Sequence, residues 1–236
     1  MISIDFWNTI AIAHTNGEKR HIARLTALTD LAAKYEKSLS IKEIKKAHAY
    51  ASEKFDEIWL GTSRTPTTEE LVSITVDYLG LKFSDDDLHR LTFVYQKSLL
   101  DGPPEVAIGA ADALKELSQK HKLAIISDTM FSPGTILRDY LHSKGIGKYF
   151  SAFAFSDEVG VSKPHPKMYE KVLSETSSDP KESFHIGDIH QTDIAGAQQM
   201  GMKAVLYTGV NKADEKTTTA DFVTSNWHEI PSLILK

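Results

Sequence analysis

The 236-residue chain is 41% hydrophobic and 25% charged, enough for one large domain or a domain carrying an insertion. Its net charge of −5 argues against nucleic-acid binding, and the absence of cysteine excludes disulfides, thiolate metal sites and a cysteine nucleophile. No segment approaches the roughly 18 apolar residues of a membrane span and no charged-then-apolar leader opens the chain, so no membrane partner and a cytoplasmic location are expected.

The first predicted element is a short strand, with Ile2 and Ile4 on one face, that delivers Asp5 at its end. Helical spacing then dominates to about residue 100. Ile22, Leu25, Leu28, Leu31 and Ala32 repeat at intervals of three or four, as do Ile44, Ala47, Ala51 and Phe55. Leu71, Ile74 and Tyr78 follow, then Leu88, Leu91, Phe93, Tyr95 and Leu99. Breaks at 37–40, 61–68 and 80–85 divide this stretch into about four helices. Thr67–Glu70 and Ser84–Asp87 read as helix starts with acids in the first turn. Phe55, Trp59, Tyr78 and Phe93 are expected in the core of this helical block.

From Pro103 the pattern alternates. Helices are predicted over 111–119, 133–142, 167–175 and 192–200, the last closed by Gly201. Strands are predicted over 123–126, 152–155, 183–186 and 204–207, with a short last one at 222–223. The expected fold is α/β: a Rossmann-like parallel sheet with helices on both faces, interrupted by an all-α insertion.

Polar clusters follow the predicted strands. They are Asp5, Ser127-Asp128, Lys163 in Gly160-Val-Ser-Lys-Pro164, and Gly187-Asp188 followed by Asp193. Parallel strands share a C-terminal edge, so these ends converge on one crevice. Carboxylates gathered there repel one another, and a divalent cation offsets that cost. All-oxygen ligands favour Mg²⁺. A serine hydroxyl and a lysine ammonium suit phosphoryl oxygens, and a fixed carboxylate can attack phosphorus.

In this order the clusters resemble the haloacid dehalogenase superfamily of hydrolases. The family's Asp-x-Asp-x-Thr stands here as Asp5-Phe6-Trp7-Asn8-Thr9, its strand-end Ser as Ser127, its Lys as Lys163, and its Gly-Asp with a later Asp as Gly187-Asp188 and Asp193. Residues past Gly209 add little to the likeness. The resemblance implies a core of residues 1–13 and 101–236 with a helical cap at 14–100. It implies Asp5 as nucleophile, Ser127 and Lys163 as phosphoryl ligands, and Mg²⁺ on Asp5, the Trp7 carbonyl and Asp188. Asp193 would act through water or by holding Lys163. A small phosphorylated metabolite is the implied substrate.

Trp7 stands where the family places its general acid and base. An indole N–H is a donor only and cannot accept a proton. Three enzymatic readings follow. One is a phosphatase whose proton transfers come from another residue, with His14, His21 and His190 as candidates by position. Another is a dehalogenase, a branch with an aromatic residue at the Trp7 position, against which the retained Asp188 and Asp193 weigh. The third is a phosphonate-cleaving enzyme using a cap lysine such as Lys19. A catalytically weak binding protein on the same scaffold is a fourth. The segment 10–21, with His14, Asn16, Lys19 and Arg20, is the expected place for specificity.

Overall fold

The computed structural model describes residues 1–235. Strand β1 (Ile2–Ile4) leads into a two-residue β2 (Ala11–Ile12) and then four helices: α1 (Gly17–Lys34), α2 (Ile41–Thr62), α3 (Thr68–Tyr78) and α4 (Asp85–Asp101). After β3 (Glu105–Val106) come α5 (Ala110–Leu117), β4 (Leu123–Ser127), α6 (Gly134–Ser143), β5 (Phe150–Phe155), α7 (Ser156–Val159) and α8 (Pro166–Thr176). The chain closes with β6 (Phe184–Gly187), α9 (Ala195–Gln199), β7 (Lys203–Tyr207), β8 (Phe222–Thr224) and α10 (Ile230–Ile234).

Six strands form one parallel sheet in the order β5-β4-β1-β6-β7-β8. Both faces are covered, which is why β4 reads as the unbroken apolar run Leu-Ala-Ile-Ile before Ser127 and is buried throughout. Alternate residues serve opposite layers. Ile2, Ile4, Leu123, Ile125, Ile186 and Val205 pack with α5, α6 and α10. Ala124, Ile126, Ala152, Ala154, Ala204 and Leu206 pack with α8 and α9 through Met168, Tyr169, Val172 and Ala197. The fold is the expected α/β sheet with helices on both faces.

The order reverses at β1, with β4 on one side and β6 on the other, so its C-terminal edge is a topological switch point. The four helices between β2 and β3 dock over that edge. They share a separate apolar cluster built on Leu28, Ile44, Leu71, Val76, Leu91 and Tyr95, joined by Phe131 from the loop after β4. Ser40 and Thr67 form capping boxes with Glu43 and Glu70, and Ser84 accepts from the Asp87 N–H, so the helices start where the sequence signals them.

The two chain crossings into this block are laced together. Antiparallel β2 and β3 pair, Asn16 Nδ2 donates to the Pro103 carbonyl at 3.0 Å, and Glu105 N donates to Thr15 Oγ1 at 2.8 Å. The buried Arg20 guanidinium donates to the carbonyls of Ala13, Thr15 and Gly102, and so ties both crossings to α1.

Three local features depart from expectation. The β2–β3 ribbon is too short to leave a periodic signal. The predicted helix over 192–200 begins as a wide π-turn, His190–Ile194, before α9. The tail beyond Gly209 forms the expected short last strand, β8, but also places Trp227, fully buried and with no signal in the sequence, under the first motif, where its Nε1 donates to the Thr9 carbonyl at 2.9 Å.

Candidate active site

A cavity of about 430 Å³ lies between the sheet edge and the helical block. Asp5, Trp7, Asp128, Lys163, Asp188 and Asp193 line its floor, and Arg20, Arg24, Ser52, Phe55 and Trp59 face it from α1 and α2.

Asp5 is delivered by β1, whose register is fixed on both sides, and its N–H donates to the Ile186 carbonyl at 2.8 Å. Its Oδ1 accepts from Lys163 Nζ at 2.5 Å. The same ammonium donates to Asp193 Oδ1 at 2.6 Å. Asp193 is committed on all sides: Oδ1 also meets His185 Nε2 at 3.1 Å, and Oδ2 accepts from Ile189 N at 3.0 Å. A carboxylate only accepts, so His185 carries its proton on Nε2 and its Nδ1 accepts from Ser3 Oγ at 2.8 Å. The π-turn aims Asp193 inward, and Gly187 makes room for it: a Cβ at Gly187 would collide with the Asp193 carboxyl. Asp193 thus meets the Lys163 ammonium directly.

The charges do not balance. Asp5, Asp188 and Asp193 are buried and Asp128 half-buried around one ammonium among the described residues, Lys163. Burial pushes the Asp5 carboxyl well above the usual range, and Asp193 and Asp188 push it further against the pull of Lys163. Burial and then Asp193 raise Asp188 to about 7, although Asn211 Nδ2 donates to its Oδ2 at 3.1 Å. Burial works against the Lys163 charge, but Asp193 and Asp5 outweigh it and keep the amine protonated. Burial also disfavours the Asp193 anion, yet Lys163 and His185 hold its carboxyl well below the usual range.

Trp7 is half-buried, edge-on to Phe6 at 4.9 Å. The chain turns back after it, Asn8 adopting φ 55°, and the resulting bridge to Ala11 uses the Phe6 carbonyl and the Asn8 N–H. Trp7's own carbonyl stands outside that pairing. Among the described residues no three His, Asp or Glu side chains have the arrangement to hold a metal ion alone. A cation here would therefore need the Asp5 and Asp188 carboxylates, a backbone oxygen and groups from outside the chain. That is the ligand set Mg²⁺ accepts, and the excess negative charge fits it.

Ser127 is fully buried, and its hydroxyl donates to the Asp128 carbonyl at 3.1 Å rather than reaching the cavity. The cavity is lined instead by Asp128 and Thr129. Asp128 is not the N-cap of α6, a position taken by Pro133. Its Oδ1 accepts from Lys163 N at 3.0 Å and its Oδ2 from Trp59 Nε1 at 2.9 Å. Burial raises its carboxyl to about 6, against the pull of Lys163.

The residues offered by position alone do not reach the site, and the expectation for the aromatic residues fails in part. His14, His21 and His190 do not line the cavity; His14 is exposed, and His190 turns to Thr218 at 3.2 Å. Lys19 is exposed. Trp59 faces the cavity rather than the helical core, Phe55 packs on the edge of that core and also faces the cavity, and Tyr78 and Phe93 are exposed. The reason is geometric. Helix α2 carries two stripes: Ile44, Ala47 and Ala51 are buried, while Ser52, Phe55 and Trp59, three and four residues apart, face the cavity. Sequence spacing reveals stripes but not what each one meets. Arg24 had no signal of its own, and Asp128 had only its place beside Ser127 at a strand end.

The family model "Haloacid dehalogenase-like hydrolase" matches residues 30–207, a span that begins after Asp5 and Trp7. Glyceraldehyde 3-phosphate phosphatase of Pyrococcus furiosus is 36% identical over 89 residues, so the match spans about a third of either protein, 36% of each. Haloacid dehalogenase-like hydrolase domain-containing protein 3 of Bos taurus is 26% identical over 196 residues, 80% of this chain and 76% of that one. The crystal structure of 2-haloacid dehalogenase from Pseudomonas syringae pv. Tomato DC3000 superposes with a TM-score of 0.74 at 18% identity, covering 99% of this chain and 97% of that one.

Proposed function

The chain belongs to the haloacid dehalogenase-like hydrolases, and on that premise we propose that it is a Mg²⁺-dependent phosphohydrolase with Asp5 as nucleophile. The observation that carries this reading is the surplus of carboxylates at the switch point, buried Asp5, Asp188 and Asp193 with half-buried Asp128, against the one ammonium of Lys163 among the described residues. Phosphoryl transfer asks for that surplus, because the cation it attracts also meets the substrate phosphate. Displacement of halide from carbon does not ask for it. Asp5, the Trp7 carbonyl and Asp188 would hold Mg²⁺, which when bound supplies charge neutralisation for the phosphoryl oxygens.

The protein's own groups do the rest. The Asp5 carboxylate attacks phosphorus, the ester oxygen leaves, and an aspartyl-phosphate forms; water then returns the carboxylate and releases phosphate. Lys163, positioned by Asp193, balances charge on Asp5 and the transferring group. Asp128 fills the proton-transfer role that Trp7 cannot, since it lines the same cavity and its carboxyl, raised to about 6, can give up and take back a proton close to neutral pH. Residues 14–100 are read as the cap, with Phe55 and Trp59 closing the cavity. Small phosphate esters are the substrate class, in keeping with the phosphatase named above.

Phosphate release from a panel of phosphate esters, with Mg²⁺ and then with EDTA, tests the reading. Release is expected with Mg²⁺, to be lost in EDTA and in Asp5→Asn. Halide release from 2-haloacids in EDTA, without phosphate release, would transfer the site to carbon–halogen chemistry.

A further inference from the structure

Arg24 is the unbalanced cation of this cavity. It sits on α1 one turn beyond Arg20, and both line the space. Arg20 spends its guanidinium on three carbonyls of the chain crossings. Arg64 and Arg138 pair with Glu70 and Glu158. Arg24 has neither kind of partner among the described residues. Its guanidinium lies over the Phe131 ring at 4.7 Å, and its side-chain contact with Ser98 Oγ is a long 3.4 Å. Its Nε is buried without a hydrogen-bond partner among the described residues. Burial lowers its pKa to about 10, and the nearby His21 and His48 are themselves disfavoured as cations by burial and by Arg24.

A half-buried guanidinium without a counter-charge is costly, and its planar fork of donors matches a carboxylate or a phosphate. The cavity therefore has two poles, carboxylates and Lys163 at the sheet edge and an unpaired guanidinium on α1. We propose, resting on the phosphohydrolase reading above, that Arg24 docks a second anionic group of the substrate. The substrate is then a phosphate ester whose leaving group carries a carboxylate or another phosphate. Phe55, Trp59 and Phe131 flank the body between the two ends.

The test uses the full chain as Asp5→Asn with Mg²⁺, titrated calorimetrically with carboxyalkyl phosphates and alkane diphosphates of increasing length. Each is compared with the alkyl phosphate of the same length. The expected result is binding about tenfold to hundredfold tighter for one of the doubly anionic series, and which series wins identifies the second group. Arg24→Met in that background collapses the ratio toward one, and Arg24→Lys leaves it between. Equal binding of the paired series, no binding of any, or a ratio that survives Arg24→Met overturns the proposal. If Arg24→Met does not fold, the ratio in Arg24→Lys decides, and an unreduced ratio is the overturning result. Phosphate release by the native chain is read separately. Selective binding without turnover keeps the anion site and removes the hydrolysis reading; turnover without selectivity does the reverse.

Discussion

Asp128 shows how a residue gains a role from its surroundings rather than its motif. In the sequence it is the neighbour of Ser127, and nothing in its spacing separates it from a turn residue. In the fold it faces Lys163 and Trp59, with the Asp193 charge near enough to raise its pKa. With its carboxyl raised to about 6, the protonated donor dominates below that pH and is lost as pH rises through it. Asp128→Asn should lower kcat/KM for alkyl phosphates by about 10²–10⁴-fold and erase this limb of the pH–rate profile. Esters with acidic leaving groups, such as p-nitrophenyl phosphate, should lose less. An unchanged profile in Asp128→Asn would remove the residue from proton transfer. Asp5, Lys163, Asp188 and Asp193 were legible because strand ends converge. Arg24 and Trp59 were not, because what they meet lies across the cavity; Asp128 was placed at a strand end, but its bond to Trp59 was not.

At the scale of elements, helix starts were legible and helix partners were not. Ser84 begins α4 as its sequence suggests, but the first-turn acid Asp87 has a further use. Its carboxylate accepts from Lys34 Nζ at 2.7 Å and Tyr35 Oη at 2.7 Å, clasping the end of α1 to the start of α4. The Lys34 and Tyr35 hydrogen bonds lower its pKa to about 2, below the unfolded value of about 3.9. A depressed carboxyl stabilises the fold above the unfolded pKa, and that contribution disappears as pH falls toward the folded one. Asp87→Asn should therefore lower the melting temperature at neutral pH, with the gap to the native chain closing between about pH 4 and pH 2. A gap constant across that window would show that charge is not the cause. The π-turn had no such signature, since its wide register depends on where Asp193 must point.

Across the whole molecule, the chain's two ends meet beneath the site. Trp227 packs in the core beside Tyr207 and donates to the Thr9 carbonyl, so the tail supports the loop that carries Asp5 and Trp7. Trp227→Ala should cost about 3–5 kcal/mol of unfolding free energy in urea titrations, while Trp227→Phe should cost about 1–3 kcal/mol for the carbonyl left without its donor. A surface-like loss of under about half a kcal/mol for Trp227→Ala would contradict the packing described. The alternation of strands and helices made the sheet readable. This long-range support was not readable, because a tryptophan near a chain end looks the same whether it is buried or free.

The hydrogen-bond run from Lys163 through Asp193 and His185 to Ser3 descends into the sheet and touches nothing in the helical block. The Asp128–Trp59 bond spans from sheet edge to block. The counter-ion of Asp5 is thus built in permanently, while Asp128, the donor in the proposed reading, owes its weak acidity to being covered. Lifting the helices would wet Asp128 and return it to an ordinary, ionised carboxylate. On the proposed reading, a leaving group can be protonated from Asp128 only while the helices cover it, so the uncovered site binds the ester without the acid that would release its alcohol.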